Sequence, residues 1–132
     1  LKAPAFVALA TTALTVAAAG ACTLPAEGGF SRAAAGAAEL AWRVEGALPI
    51  AVGRAFAVEV RTCPYSAMLV EVDATMPEHR HGMNYRAKLL PVAPGQWRVE
   101  GLVWHMPGRW QWRFELELDG RRVQARPSIV LP

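Results

Sequence analysis

The sequence predicts an all-β protein, an immunoglobulin-like sandwich of about seven antiparallel strands, and three observations carry that expectation. The first is alternation with a period of two. Trp110, Trp112, Phe114, Leu116 and Leu118 interleave with Gln111, Arg113, Glu115, Glu117 and Asp119, which gives a strand one apolar face and gives a helix none. The second is punctuation. Turn signals at Leu48-Pro49 to Gly53, Cys63-Pro64, Pro91 to Gly95, Met106-Pro107-Gly108 and Asp119-Gly120 recur at the spacing of a sandwich. The third is length, because about 110 residues remain once a leader is set aside, enough for one domain with a single two-layer core.

Residues 1–21 read as an export signal. One charge, Lys2, precedes an apolar, alanine-heavy run through Phe6, Val7, Leu9, Leu14 and Val16, and Ala19-Gly20-Ala21 satisfies the small-x-small rule for cleavage. Cleavage there leaves Cys22 first, which resembles a bacterial lipoprotein signal, although Ala19 stands where that pattern prefers Leu. Lipidation of Cys22 and plain secretion both stay open. An uncleaved anchor is disfavoured, since the run is Ala- and Thr-rich, only marginally long and has no charged stop beyond it. The chain has two cysteines. In an exported protein Cys22 and Cys63 can bridge, whereas a lipidated Cys22 leaves Cys63 a lone thiol.

Residues 22–39 are small and carry few large apolar groups, so they read as a flexible tether. The sandwich follows over 40–132, with strands expected at about 40–46, 54–62, 67–75, 85–90, 96–104, 109–119 and 121–131. Leu40, Trp42 and Val44 form the inward set of the first, Phe56, Val58 and Val60 of the second, and Met68, Val70 and Val72 of the third. In the fifth, Trp97, Val99 and Val103 compete with Leu102 and Trp104 on the other parity, and a bulge at Gly101 reconciles them by turning Trp104 inward. Asp119-Gly120 is a two-residue hairpin signal, and Pro127 places the last strand at an edge or bulge.

Two polar turns stand apart from this frame: Met76-Pro77-Glu78-His79-Arg80-His81-Gly82-Met83-Asn84-Tyr85 and Trp104-His105-Met106-Pro107-Gly108-Arg109-Trp110. They contain all three histidines and three of the four methionines. If successive strands run up and down, the third-to-fourth and fifth-to-sixth connections emerge at one end, and Cys63 and Met68 fall at the other. Imidazole and thioether together suit copper, with thioether favouring Cu(I), so His79, His81, Met83, His105 and Met106 are the candidate metal ligands. Extended backbone would put His79 and His81 on one face, and Gly82 would fold the chain back to bring Met83 over the ion. Trp104 and Trp110 flank the short turn and can cover a cation. The plainer reading is two ordinary turns whose histidines bond backbone, with Trp110 and Met76 as packing residues, Arg80, Arg86 and Arg109 as a solvated rim, and Glu78 as an ion-pair partner worth little.

These residues carry a family resemblance. The strand ending in Met76-Pro77, then His79-Arg80-His81-Gly82-Met83, then Gly101 to Trp112 around Met106-Pro107-Gly108-Arg109-Trp110, resemble the YtkA-like group of exported bacterial β-sandwich domains, which is similar in turn to FixH-type proteins. The resemblance covers most of residues 54–130. It implies a periplasmic or membrane-attached domain linked to copper supply or oxidase assembly, with a metal ion and an envelope or oxidase-assembly protein as partners and the membrane met only through a lipid on Cys22.

Other functions fit poorly. Fourteen basic and eleven acidic side chains are interleaved rather than blocked, which disfavours nucleic acid. The only aspartates are Asp73 and Asp119, and neither a nucleophile elbow nor a Gly-rich phosphate loop is present, so no enzyme is expected. A hydrolytic zinc centre with Glu78 as base is the weakest of these readings. Two functions remain: a cell-envelope copper-binding module using the His/Met rim, or a metal-free interaction domain in which Tyr85, Arg86 and the histidines meet a partner protein.

Overall fold

The computed structural model describes residues 21–46 and 48–132; the export signal expected over 1–21 lies, but for Ala21, outside them. The described residues form ten strands: β1 Ser31–Ala35, β2 Ala38–Glu45, β3 Ala55–Cys63, β4 Met68–Met76, β5 His81–Gly82, β6 Lys88–Ala93, β7 Gln96–Val103, β8 Gly108–Leu118, β9 Arg121–Ala125 and β10 Ser128–Leu131. One sheet has the order β1-β2-β3-β7-β6, and the other β10-β8-β4-β5 with β9 also paired to β8. All neighbours are antiparallel. Without β1 and β5, this is the A-B-E-D and G-F-C order of an immunoglobulin-type sandwich.

Two departures have simple causes. The alanine-rich stretch expected to be a tether is strand β1, paired with β2 from Ser31↔Trp42 to Ala35↔Ala38; alanine lacks bulk for a core but suffices for an edge strand that packs Ala35 inward. The last expected strand is broken into β9 and β10, because Pro127 has no N–H for the ladder. Its carbonyl still accepts the Trp112 N–H at 2.8 Å, so both pieces run along the same edge of β8.

The bulge expected at Gly101 is present. Phe56 pairs with Leu102 but Val58 pairs with Val99, so β7 holds one extra residue between them, and Gly101 takes φ 79°. The phase shift buries Trp97 and Val99 before it and Leu102 and Trp104 after it. A second bulge was not legible. Between Leu69 and Glu71 the register of β4 against β8 slips, so Leu69, Val72, Ala74 and Met76 face inward while Met68 is exposed, which corrects the Met68, Val70, Val72 face.

The core is an aromatic seam between the sheets. Trp104 lies 5.0 Å, centroid to centroid, from both Trp110 and Trp112, and Phe56 and Phe114 stack on Trp104 and Trp112 at 5.3 Å each. Among the described residues, the indole N–H groups of Trp104 and Trp112 are buried without a hydrogen-bond partner.

On the outer face of the first sheet Glu59 is 8% exposed and lies between Arg43 and Arg61, 2.7 Å from each guanidinium. Burial alone would raise its carboxyl pKa, but the hydrogen bonds and charges of Arg61 and Arg43 outweigh it and hold the group below its ordinary 4.5. Because the folded pKa is depressed, this stabilisation is whole above about 4.5 and is lost as pH falls through the lower folded value. Glu59→Gln should therefore lower unfolding free energy by about 1–2 kcal/mol at neutral pH, the arginines being partly solvated. Denaturant titrations at several pH values should show that difference shrinking in acid. Trp112→Ala should remove about 3–5 kcal/mol at all of them.

Candidate functional site

Both polar turns emerge at one end of the sandwich. Thr75 near the end of β4 pairs with Gln111 near the start of β8, so the segment leaving β4 and the segment entering β8 share a rim. Met68 pairs with Glu117 at the far end, and Cys63 closes β3 there. The rim segments are bonded to each other. The Asn84 N–H donates to His105 Nε2 at 3.3 Å, the Tyr85 and His105 rings lie 6.3 Å apart, and Arg109 Nη2 meets Glu78 Oε1 at 2.9 Å.

The first turn is a four-residue hairpin loop. Met76 pairs with His81, and the His79 N–H donates to the Met76 carbonyl at 3.2 Å across Pro77-Glu78, a β-turn with proline at its favoured second position. The chain is therefore not extended through His79-Arg80-His81, and Gly82 does not make the return. Arg80 does, at φ 51°, while Gly82 sits opposite Thr75 in the short β4–β5 ladder. Even so, the His79 and His81 rings come within 6.4 Å, inclined by 30°, and both side chains are exposed. Two imidazoles on one ion, each nitrogen about 2 Å from it, have ring centres roughly 5–6 Å apart, so small side-chain rotations bring this pair to a common ligand.

The remaining candidates are placed differently. Met83 and Met106 are half-buried against the core, and the Met106 carbonyl accepts the Trp110 indole N–H at 3.0 Å. His105 is half-buried, its Nε2 engaged by Asn84. Trp104 and Trp110 are fully buried beneath the rim, so neither offers a ring face to an exposed cation. Met76 is buried as packing, its Cε 2.9 Å from where a Cβ on Gly108 would stand. Thus the structure brings His79 to His81 and ties His105 to the same rim. Among the described residues, no group of three or more His, Cys, Asp or Glu side chains is arranged around one point.

Cys22 is bonded to Cys63, with Cα atoms 5.7 Å apart. A sulfur in a disulfide cannot also carry a thioether lipid, so the structure takes the bridged alternative. Sequence reasoning missed a groove of about 940 Å³ on the side of the sandwich, where Trp42, Val44 and Ile50 face Ile129 and Leu131. It exists because β1 begins opposite Trp42 and leaves the outer edge of the second half of β2 uncovered, its other edge being paired with β3. Its charged lining residues, Arg43 and Glu45, are held in ion pairs with Glu59 and Arg98.

No protein-family model, curated protein or solved structure matches this chain.

Arg80 in the left-handed region gives a direct test of the turn. Arg80→Gly should raise stability by about 0.5–1 kcal/mol in chemical denaturation, since a side chain at positive φ costs about 1–2 kcal/mol and glycine gives part of that back through its freer unfolded state. Glu78→Gln should change it by less than about 1 kcal/mol, the pair with Arg109 being solvent-exposed.

Proposed function

We propose that this protein is an exported, non-enzymatic copper-binding module that holds or passes the ion at its His/Met rim. The observation that carries the reading is the pairing of the His79 and His81 rings at 6.4 Å on an exposed turn that is tied to the turn carrying His105 and Met106. In this reading the two imidazoles supply the first donors, and the Met83 and Met106 thioethers, soft ligands suited to Cu(I), complete the set by rotating out of their half-buried positions. His105 contributes through Nδ1, or through Nε2 once it releases the Asn84 N–H. The site is thus assembled by the ion, and that suits delivery better than storage, because a set that closes only on binding also opens readily. The Cys22–Cys63 bridge supports an oxidising compartment such as the cell envelope. The resemblance to YtkA-like and FixH-type domains points the same way, toward copper supply or oxidase assembly.

A second reading is favoured by a specific contact. His105 Nε2 is already engaged by backbone, and Tyr85 beside it is 62% exposed, as in a recognition surface that needs no metal.

Titration with Cu(I) against a competing chelator, repeated with Zn(II), separates the two. The copper reading expects about one Cu(I) per chain, with preference over Zn(II), and loss of uptake in His79→Ala/His81→Ala. Uptake that is weak and indifferent to that double change overturns it and leaves the rim as a protein-docking surface.

A further inference from the structure

The rim leaves positive charge open, and most of the molecule does not. Among the described residues, Arg43, Arg61, Arg98, Arg109, Arg113 and Arg122 are ion-paired, and Arg32 and Arg126 donate to the Leu24 carbonyl and the Gln124 side chain. Arg54, Arg80, Arg86, Lys88 and Arg121 make no ion pair or side-chain hydrogen bond there. Of these, Lys88 stands opposite Glu100 in the β6–β7 ladder, and Arg121 lies at the far end opposite Leu118. The other three are exposed and belong to connections at the rim. Glu78 is the one acid in those connections and is taken by Arg109. Glu71 and Asp73, which share a hollow with Arg86, are held by Arg113.

The open charges lie on one continuous face, because the connections are tied together. The Gly53 N–H donates to the Trp104 carbonyl at 2.8 Å, which sets Val52 and Arg54 beside the turn of His105. The Asn84 N–H on His105 and the pair of Arg109 with Glu78 join that turn to the one carrying Arg80 and Arg86. Val52 and Tyr85 are 42% and 62% exposed in the same region. Arg54 precedes β3 of one sheet and Arg80 follows β4 of the other, and packed sheets stand about 10 Å apart, so the charges are spread over a surface rather than gathered in a pocket.

We propose that the rim docks a partner protein with an acidic face, whose carboxylates meet Arg54, Arg80 and Arg86 around apolar contacts at Val52 and Tyr85. Opposite charge steers such an encounter and fixes its orientation. Arginine and tyrosine are also residue types enriched where interfaces bind tightly. A second copy of this chain fits poorly as the partner. Apart from Glu27, Glu39 and Asp119, its carboxylates are held by its own arginines. The docking stands on charge alone, and only the route of the ion rests on the copper reading. The same field repels a free cation and draws an acidic protein, so copper passes between proteins rather than entering from solution.

The test titrates decaglutamate, capped at both ends, into the metal-free chain and follows amide chemical shifts, with decaglutamine and phosphatidylglycerol vesicles as the other arms. Decaglutamate should shift residues 52–54, 78–86 and 105–109, and raising salt from about 50 to about 200 mM should weaken it by about fivefold or more. Decaglutamine should shift none of them. Arg80→Asn/Arg86→Gln should weaken binding by about fivefold, asparagine being tolerated at the positive φ of Arg80, and Arg80→Lys/Arg86→Lys should restore most of it. Arg54→Gln, in a separate connection, should weaken it by about twofold and covers the case of a double variant that folds poorly. No metal is present, so this result and the copper titration fail independently. The proposal is overturned if decaglutamate does not bind at low salt, if decaglutamine shifts the rim equally, or if the shifts centre on Arg121 and Arg122. It is overturned as well if the neutral variants bind like the parent, or if vesicles engage the rim and decaglutamate does not.

Discussion

The contact between the indole of Trp104, arriving from β7, and those of Trp110 and Trp112 on β8 joins the two sheets, and the rest of the molecule is built around it. Among the described residues, strand β8 is the ladder partner of both β9 and β10 and the principal partner of β4. Its inward residues Trp110, Trp112, Phe114 and Leu116 are buried almost completely. Each large ring removes on the order of 200 Å² from water, so this one strand supplies a large share of the apolar burial that opposes chain entropy. The bulge at Gly101 is part of the same arrangement, because without the phase shift Trp104 would point into solvent.

That seam also explains why the two ends of the sandwich differ. Trp104 and Trp110 roof the core just below the rim, so the polar turns above them leave strands that end in buried rings, while the His79 and His81 imidazoles are exposed and that of His105 is half-buried. The hydrogen bond from Asn84 to His105 and the ion pair of Arg109 with Glu78 then join the two turns across the gap between strands. At the other end no aromatic lid is needed, since the disulfide and the hydrogen bonds of Thr62 with Gly95 and Ala67 hold the connections in place. Apolar side chains are left outside there, and ligand-type side chains are left outside at the rim.

The polar faces are organised as ladders rather than isolated pairs. Glu59 gathers Arg43, Arg61 and Gln96 on one sheet, and Arg113 gathers Glu71, Asp73 and Glu115 on the other. These cross-strand sets favour one register over its one-residue slips, which would set apolar residues beside charges. Asp73 also accepts the neighbouring Ala74 N–H at 2.8 Å, occupying a backbone donor at the little-paired edge of β4.

Strands β2, β3, β4, β6, β7 and β8, the Gly101 bulge, the Asp119-Gly120 hairpin and the sharing of one rim by His79, His81 and His105 were all readable in the chain. Each follows from local chemistry or from counting reversals: alternation sets the faces, glycine and proline set the turns, and parity sets the ends. What the sequence could not supply was anything decided between distant segments. Whether Cys22 found Cys63, whether the alanines after Arg32 would pair with β2, where β4 slipped against β8, and which way the His105 ring faced all depended on partners far along the chain. Periodicity within one strand carries no information about its neighbour's register. Only the packed tertiary structure, in which one choice of contacts excludes the others, could fix them.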